Sequence, residues 1–175
     1  MKRGNRLWSG EGIALYETDL ADRLMLEFED EAVCEAAYRI QTLLRRHVLN
    51  SSFEERLGGR TFLIRRVEPL DVEVVAEAEP GEVRLAFAGA GGTLTREQAL
   101  AALGRQSRLE KMEDVGAHAA RSLRAHLSLR GIDRLRLRLR FGITADGTCL
   151  LQVVNPLGCD LGTNDMRKLT ALLGG

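Results

Sequence analysis

Four arginines occupy every second position of one short stretch: Arg134, Arg136, Arg138 and Arg140, alternating with Leu135, Leu137, Leu139 and Phe141. A guanidinium grips phosphate or carboxylate through two parallel N–H donors, so a row of them on one face is a possible anion clamp. The same row has a plainer reading. It is a solvated strand face, or a face covered by a helix whose Glu and Asp pair with it, and charged faces are common at solvated sheet edges. Other groups with chemistry to offer are few. Ser9-Gly10-Glu11-Gly12 has the outline of a phosphate loop, but the chain contains no GxxxxGKS or GxxxxGKT, and lone glycine pairs of this kind usually mark turns. No serine sits in GxSxG, and Cys34, Cys149 and Cys159 form neither a CxxC pair nor a metal-ligand pattern with His47, His118 and His126. Trp8 and Tyr16 read as core or sheet-edge aromatics rather than stacking platforms.

Period-two alternation over Arg134–Phe141 predicts a strand with one buried face. Asp146-Gly147 is a turn pair, Thr148–Val154 is the returning strand, and Asn155-Pro156 is expected to end the pairing because proline has no N–H for a ladder. Upstream, Leu7–Tyr16 reads as two strands about a glycine turn and Arg23–Phe28 as a third, linked too closely for crossover helices. Val33, Ala37, Ile40, Leu44 and Val48 recur at helical spacing and predict an amphipathic helix over Glu31–Val48. Strands follow at Thr61–Glu68, Asp71–Ala78 and Glu82–Ala88, and Gly89–Gly92 is the best position for a hinge or linker. Thr95-Arg96-Glu97-Gln98 is a capping box opening a helix to Leu103. Ser107 is positioned to cap a long helix, Arg108–Leu129, with Gly131 after it, and a last helix spans about Asn164–Leu173. This order predicts an α+β fold of mostly antiparallel sheet. It also divides the chain into an N-terminal β lobe with one helix (1–88) and a segment of helices, hairpin and C-terminal helix (93–175), packed as one compact unit.

The chain has 175 residues, enough for one domain with a substantial core. Lys+Arg and Asp+Glu are balanced at 25 each, which removes any global basic signal for nucleic acid or membrane surfaces. The cysteines suit reduced thiols in a cytoplasmic protein. The first ten residues lack an apolar signal core, and no apolar run is long enough to span a bilayer.

Leu7–Asp19, LWSGEGIALYETD, resembles the opening of the SAICAR synthetases, LYEGKAKKIYETD. These are the ATP-dependent ligases that join aspartate to a carboxylated aminoimidazole ribotide in purine synthesis. The likeness continues through Leu24–Glu31, through Phe62–Val75 (FLIRRVEPLDVEVV) and, at the far end, through Gly131–Cys159. The matches are collinear and cover most of the chain. The resemblance implies the family's fold and a nucleotide pocket between sheet and hairpin. The departures concern its chemistry. Where the family carries phosphate-approaching lysines, this chain has Glu11, Gly12, Ile13 and Ala14. The family's magnesium-serving acids match Gln152, Val153 and Leu157, its Glu before the hairpin turn matches Arg140, and an arginine of the family matches Asp160. Valine and leucine offer no hard oxygen donor. Much of the family's substrate-binding sequence is missing as well.

Two functions follow. In one, a non-catalytic member of the fold acts as a binding or scaffolding protein, with a degenerate nucleotide or anion pocket drawn from Gly10, Glu11, Gly12, Arg136, Arg138, Arg140 and Gln152, or with a second copy or a partner enzyme. The sequence favours this reading. In the other, a retasked enzyme of ligase-like, carboxylate–amine chemistry binds a phosphorylated or carboxylated small molecule through an arginine-lined cleft. ATP and magnesium would belong to it by resemblance only. The second reading requires Arg136, Arg138 and Arg140 to face a cleft with Glu11, Glu73 or His126 in reach as a base. The first requires them on an exposed or intersubunit face.

Overall fold

The computed structural model describes residues 1–10, 12–47, 50–159 and 166–173, with the side chains of all of these except 153–159 and 166–167. Strands β1 (Arg3–Gly10), β2 (Ile13–Thr18), β3 (Arg23–Phe28), β4 (Phe53–Gly58) and β5 (Thr61–Arg65) form a five-stranded sheet in the order β1-β2-β3-β5-β4. All its pairings are antiparallel. Period-two alternation puts Leu24, Leu26 and Phe28 on one face of β3 with Ile13, Leu15, Phe62 and Ile64, and helix α1 (Glu31–Arg46) packs Cys34 and Ala37 there. Asp30 caps α1 by accepting from the amides of Ala32 and Val33. Burial pushes the Cys34 thiol up to about 11, so this cysteine is a small core residue and a poor nucleophile.

The second sheet joins β7 (Glu73–Glu79), β8 (Glu82–Gly89), β9 (Gly92–Leu94), β10 (Leu135–Ile143) and β11 (Cys149–Cys159) in the order β11-β10-β7-β8-β9, with the short β6 (Glu68–Pro69) also paired to β10. Here the alternation of the arginine stretch decides the layer structure. Leu135, Leu137, Leu139 and Phe141 point to one side and are buried with Val74, Ala76 and Ala78 against α3 (Gln106–Ser128). Each fully buried leucine contributes about 2–3 kcal/mol of apolar transfer. The arginines leave by the other face. Helices α2 (Arg96–Leu103) and α4 (Met166–Leu173) complete the layer: α2 lies beside α3, β8 and β9, and α4 lies against α1 and α3. No helix among the described residues is long and apolar enough to cross a membrane.

The α+β class and the antiparallel sheets are as the sequence predicts, while several local expectations differ. β11 keeps pairing past Pro156, which stands opposite Leu137 across a register shift, to Cys159 opposite Leu135. It is the terminal strand in the sheet order, where proline's missing N–H costs no interior ladder bond. Gly89–Gly92 is the tight turn between β8 and β9, with Gly89 paired to Gly92, rather than a linker. β7 pairs with β10 of the hairpin and β8 pairs with β7, so the chain passes from the first sheet to the second between Arg65 and Glu68. Helix α1 ends at Arg46, and Ser107 lies inside α3, whose N-cap Arg105 gives no side-chain cap. Gly104, left-handed at φ 68°, closes α2 and turns the chain straight into α3.

The capping box is present as read: Thr95 accepts from the Gln98 amide, and the Gln98 side chain accepts from the Thr95 amide at 2.8 Å. Thr95→Ala is expected to lower the unfolding free energy by about 1 kcal/mol, measured by urea denaturation.

Candidate functional site

Between the two sheets lies a cleft of about 710 Å³. One wall is apolar and comes from the first sheet: Ile13 and Leu15 of β2, Leu26 of β3, and Trp8 at the rim on β1. The facing wall is the charged side of the second sheet. It carries Arg136, Arg138 and Arg140 of β10, Glu73 and Glu77 of β7, Arg84 of β8 and Gln152 of β11. Leu70, Asp71 and the turn at Gly89 and Ala90 also border it.

Register explains the pairing of charges on that wall. β10 runs antiparallel to β7 with Arg136 opposite Glu77 and Arg138 opposite Val75, so side chains on the arginine face meet the outward glutamates of β7. Arg136 Nε is 3.1 Å from Glu77 Oε1 at the open end, where both side chains are about half exposed. Glu77 and Glu79 also face Arg84, at 3.8 and 2.9 Å. The deeper end is organised differently. One carboxylate, Glu73, serves two guanidiniums: its Oε1 is 2.8 Å from Arg140 Nε and its Oε2 is 3.3 Å from Arg138 Nε. The side chains of Arg140 and Glu73 are only 16% and 18% exposed, so their attraction is screened far less than at a surface. The guanidinium carbon of Arg140 also sits 4.8 Å from the centre of the Trp8 ring, a cation–π contact that ties the two sheets together.

The sequence-predicted residues are therefore not all in one place. Arg136, Arg138, Arg140 and the buried Gln152 line the cleft. Gly10 and Gly12 are not among its lining residues. Gly10 instead leaves room for the Trp8 indole, whose Cζ2 would be 3.0 Å from a Cβ at that position, and Gly12, at φ +76°, makes the turn into β2. Glu11 and Asp160 lie outside the described residues. His126 stands on α3 beside Arg130 and away from the cleft, its pKa lowered by burial and then by that cation. Of the two described groups considered as a base, Glu73 and His126, Glu73 is the one the fold brings to the arginines.

The carboxylates that meet the arginines among the described residues come from β7, where one reading of the sequence had a covering helix supply them. The signal was present in the sequence. Glu73, Glu77 and Glu79 alternate with Val74, Ala76 and Ala78 as the arginines alternate with leucines, but only strand order makes the two ladders neighbours. Trp8, read as a core or edge aromatic, is a partly exposed wall of the cleft.

No protein-family profile matches the chain. Its sequence is 23% identical over 208 aligned positions to the phosphoribosylaminoimidazole-succinocarboxamide synthase (SAICAR synthetase) of Pseudomonas fluorescens, covering 96% of this chain and 88% of that one. Among solved structures, the corresponding synthase of Ehrlichia chaffeensis superposes with a TM-score of 0.77 at 13% identity, over 91% of this chain and 87% of the other. A SAICAR synthetase in complex with ADP gives 0.75 at 16% identity, over 83% and 78%. Sequence similarity along nearly the whole chain, together with the shared arrangement of sheets and helices, makes this protein a short, divergent homologue of the SAICAR synthetases with their fold.

Proposed function

We propose that the protein uses the inter-sheet cleft to bind a phosphorylated or carboxylated small molecule on Arg136, Arg138 and Arg140, without the ATP- and magnesium-dependent ligation of its relatives. The observation that carries this reading is the direction of the arginine ladder. It faces a cleft with an apolar opposite wall, where a scaffold would display it on an outer face. Arginines lining a partly desolvated recess suit bidentate anion recognition.

The described residues do not fit a magnesium–nucleotide clamp. Among the described residues no three His, Cys, Asp or Glu side chains come together in a possible metal site. The deepest carboxylate, Glu73, faces two guanidiniums, and a divalent cation placed on it would meet their positive charge. Arg84, Arg136, Arg138 and Arg140 lie along the cleft among the carboxylates of Asp71, Glu73 and Glu77, and guanidinium donors suit an anion rather than a metal. A retasked enzyme is the second reading, favoured by the contact of Glu73 with the ladder, since a carboxylate beside a bound anion is where a base would be needed.

The test is calorimetric titration of the purified protein with ATP and with inorganic phosphate, each with and without magnesium, repeated with Arg138→Ala. Binding that needs no magnesium and weakens about tenfold in the variant is expected, the loss of one charge-assisted contact. ATP binding that requires magnesium and survives the substitution would restore the ligase reading.

A further inference from the structure

Glu73 occupies the place an anion would take. Its two carboxylate oxygens are divided between Arg140 and Arg138, it is largely buried at the deep end of the cleft, and it is tethered to β7. Resting on the anion-binding reading above, we propose that Glu73 is a built-in competitor that an incoming ligand must displace from Arg138 and Arg140. On this account Glu73 sets the charge the cleft selects.

The reasoning is one of effective concentration. A tethered group competes with free ligand as though present at millimolar concentration or above, without a new association step. A free monocarboxylate offers the arginines only what Glu73 already offers, and it has to lose its own translational freedom to do so. A phosphate monoester carries about −1.5 to −2 charges and three acceptor oxygens. It can satisfy Arg138 and Arg140 together and extend to Arg136 nearer the mouth, where Glu77 pairs more loosely in solvent. The cleft therefore rejects simple carboxylates and takes compact phosphate-type dianions. Trp8, the chain's only tryptophan, reports the exchange, because displacing Glu73 alters the guanidinium stacked on the indole.

The experiment compares wild type, Glu73→Gln, Glu73→Asp and Glu82→Gln in calorimetric and Trp8-fluorescence titrations with inorganic phosphate and with acetate. Glu73→Gln keeps the shape but removes the charge, and is expected to bind phosphate about tenfold more tightly and to acquire measurable acetate binding. Glu73→Asp retracts the carboxylate by one methylene and should fall between, which keeps the test open if the glutamine variant folds poorly. Glu82→Gln removes an exposed charge that is not part of the cleft lining, and should leave phosphate affinity within about twofold. Phosphate affinity that is unchanged or weaker in both Glu73 variants would show that Glu73 positions the arginines rather than competing for them. Equal tightening in Glu73→Gln and Glu82→Gln would reduce the effect to net charge, and wild-type acetate binding as strong as phosphate binding would remove the selectivity. Each of these overturns the inference while leaving the anion site standing. An absence of phosphate binding by every protein, with all of them folded, would instead overturn the anion site itself.

Discussion

Arg140→Ala is expected to unfold with a free energy about 2 kcal/mol below the wild type. Removing one partner of a buried pair costs roughly 3–5 kcal/mol, because the remaining charge is left desolvated. Here the side chains keep 16% and 18% exposure, and Arg138 remains near the other carboxylate oxygen at 3.3 Å, so the loss falls below that range, at about 2 kcal/mol. The substitution also removes the stacking of Arg140 on Trp8, a contact between the two sheets. Urea denaturation measures the total, and a double-mutant cycle with Glu73→Gln isolates the pair. Glu73 no longer needs Arg140 once its charge is gone, so the double variant should recover most of the loss. A change below about 0.5 kcal/mol in Arg140→Ala would mean that the pair behaves as a solvated surface bridge. The same variant is expected to lower phosphate affinity about tenfold or more, since it deletes the innermost of the guanidiniums proposed to hold the ligand.

Gly142→Val is expected to be more damaging still, by about 3 kcal/mol or more. Gly142 lies on β10 opposite Pro69 of β6, where the chain passes from the first sheet to the second. A Cβ at this position would stand 2.6 Å from Val67 Cγ2, 2.7 Å from Val67 Cβ and 3.0 Å from the Glu68 carbonyl oxygen. Val67 is buried and two of the three obstructing atoms belong to backbone or to a branched side chain at its root, so no rotamer change relieves the overlap. The strand must move away from β6, whose Pro69 borders the cleft. Gly58→Ala serves as the control. A Cβ on Gly58 has nothing within 4 Å, and its unfolding midpoint should stay close to that of the wild type. If Gly142→Val unfolds at the same urea concentration as Gly58→Ala, the close approach of Val67 is not real.

Much of this protein is decided by its sequence alone. Period-two alternation in Arg134–Phe141 is enough to specify a strand with leucines in and arginines out, because side chains of a strand must leave on opposite faces. The capping box at Thr95 and the turn at Asp146-Gly147 are equally local, since each depends on hydrogen bonds or backbone angles within a few residues. Local pattern does not say what a strand's polar face looks onto. Whether Arg138 meets water, a helix or a cleft depends on which strand lies beside β10 and which sheet lies opposite, and both are set by pairings between distant segments. Tertiary structure made Glu73, more than sixty residues earlier in the chain, the partner of Arg138 and Arg140. It brought Trp8 across from the other sheet onto Arg140, and it left Gly10 and Gly12 outside the cleft lining. The physical reason is the range of the forces involved. Side-chain alternation and capping act over a few ångströms along one segment, whereas the charge environment of a buried guanidinium is the sum of everything that packing brings near it.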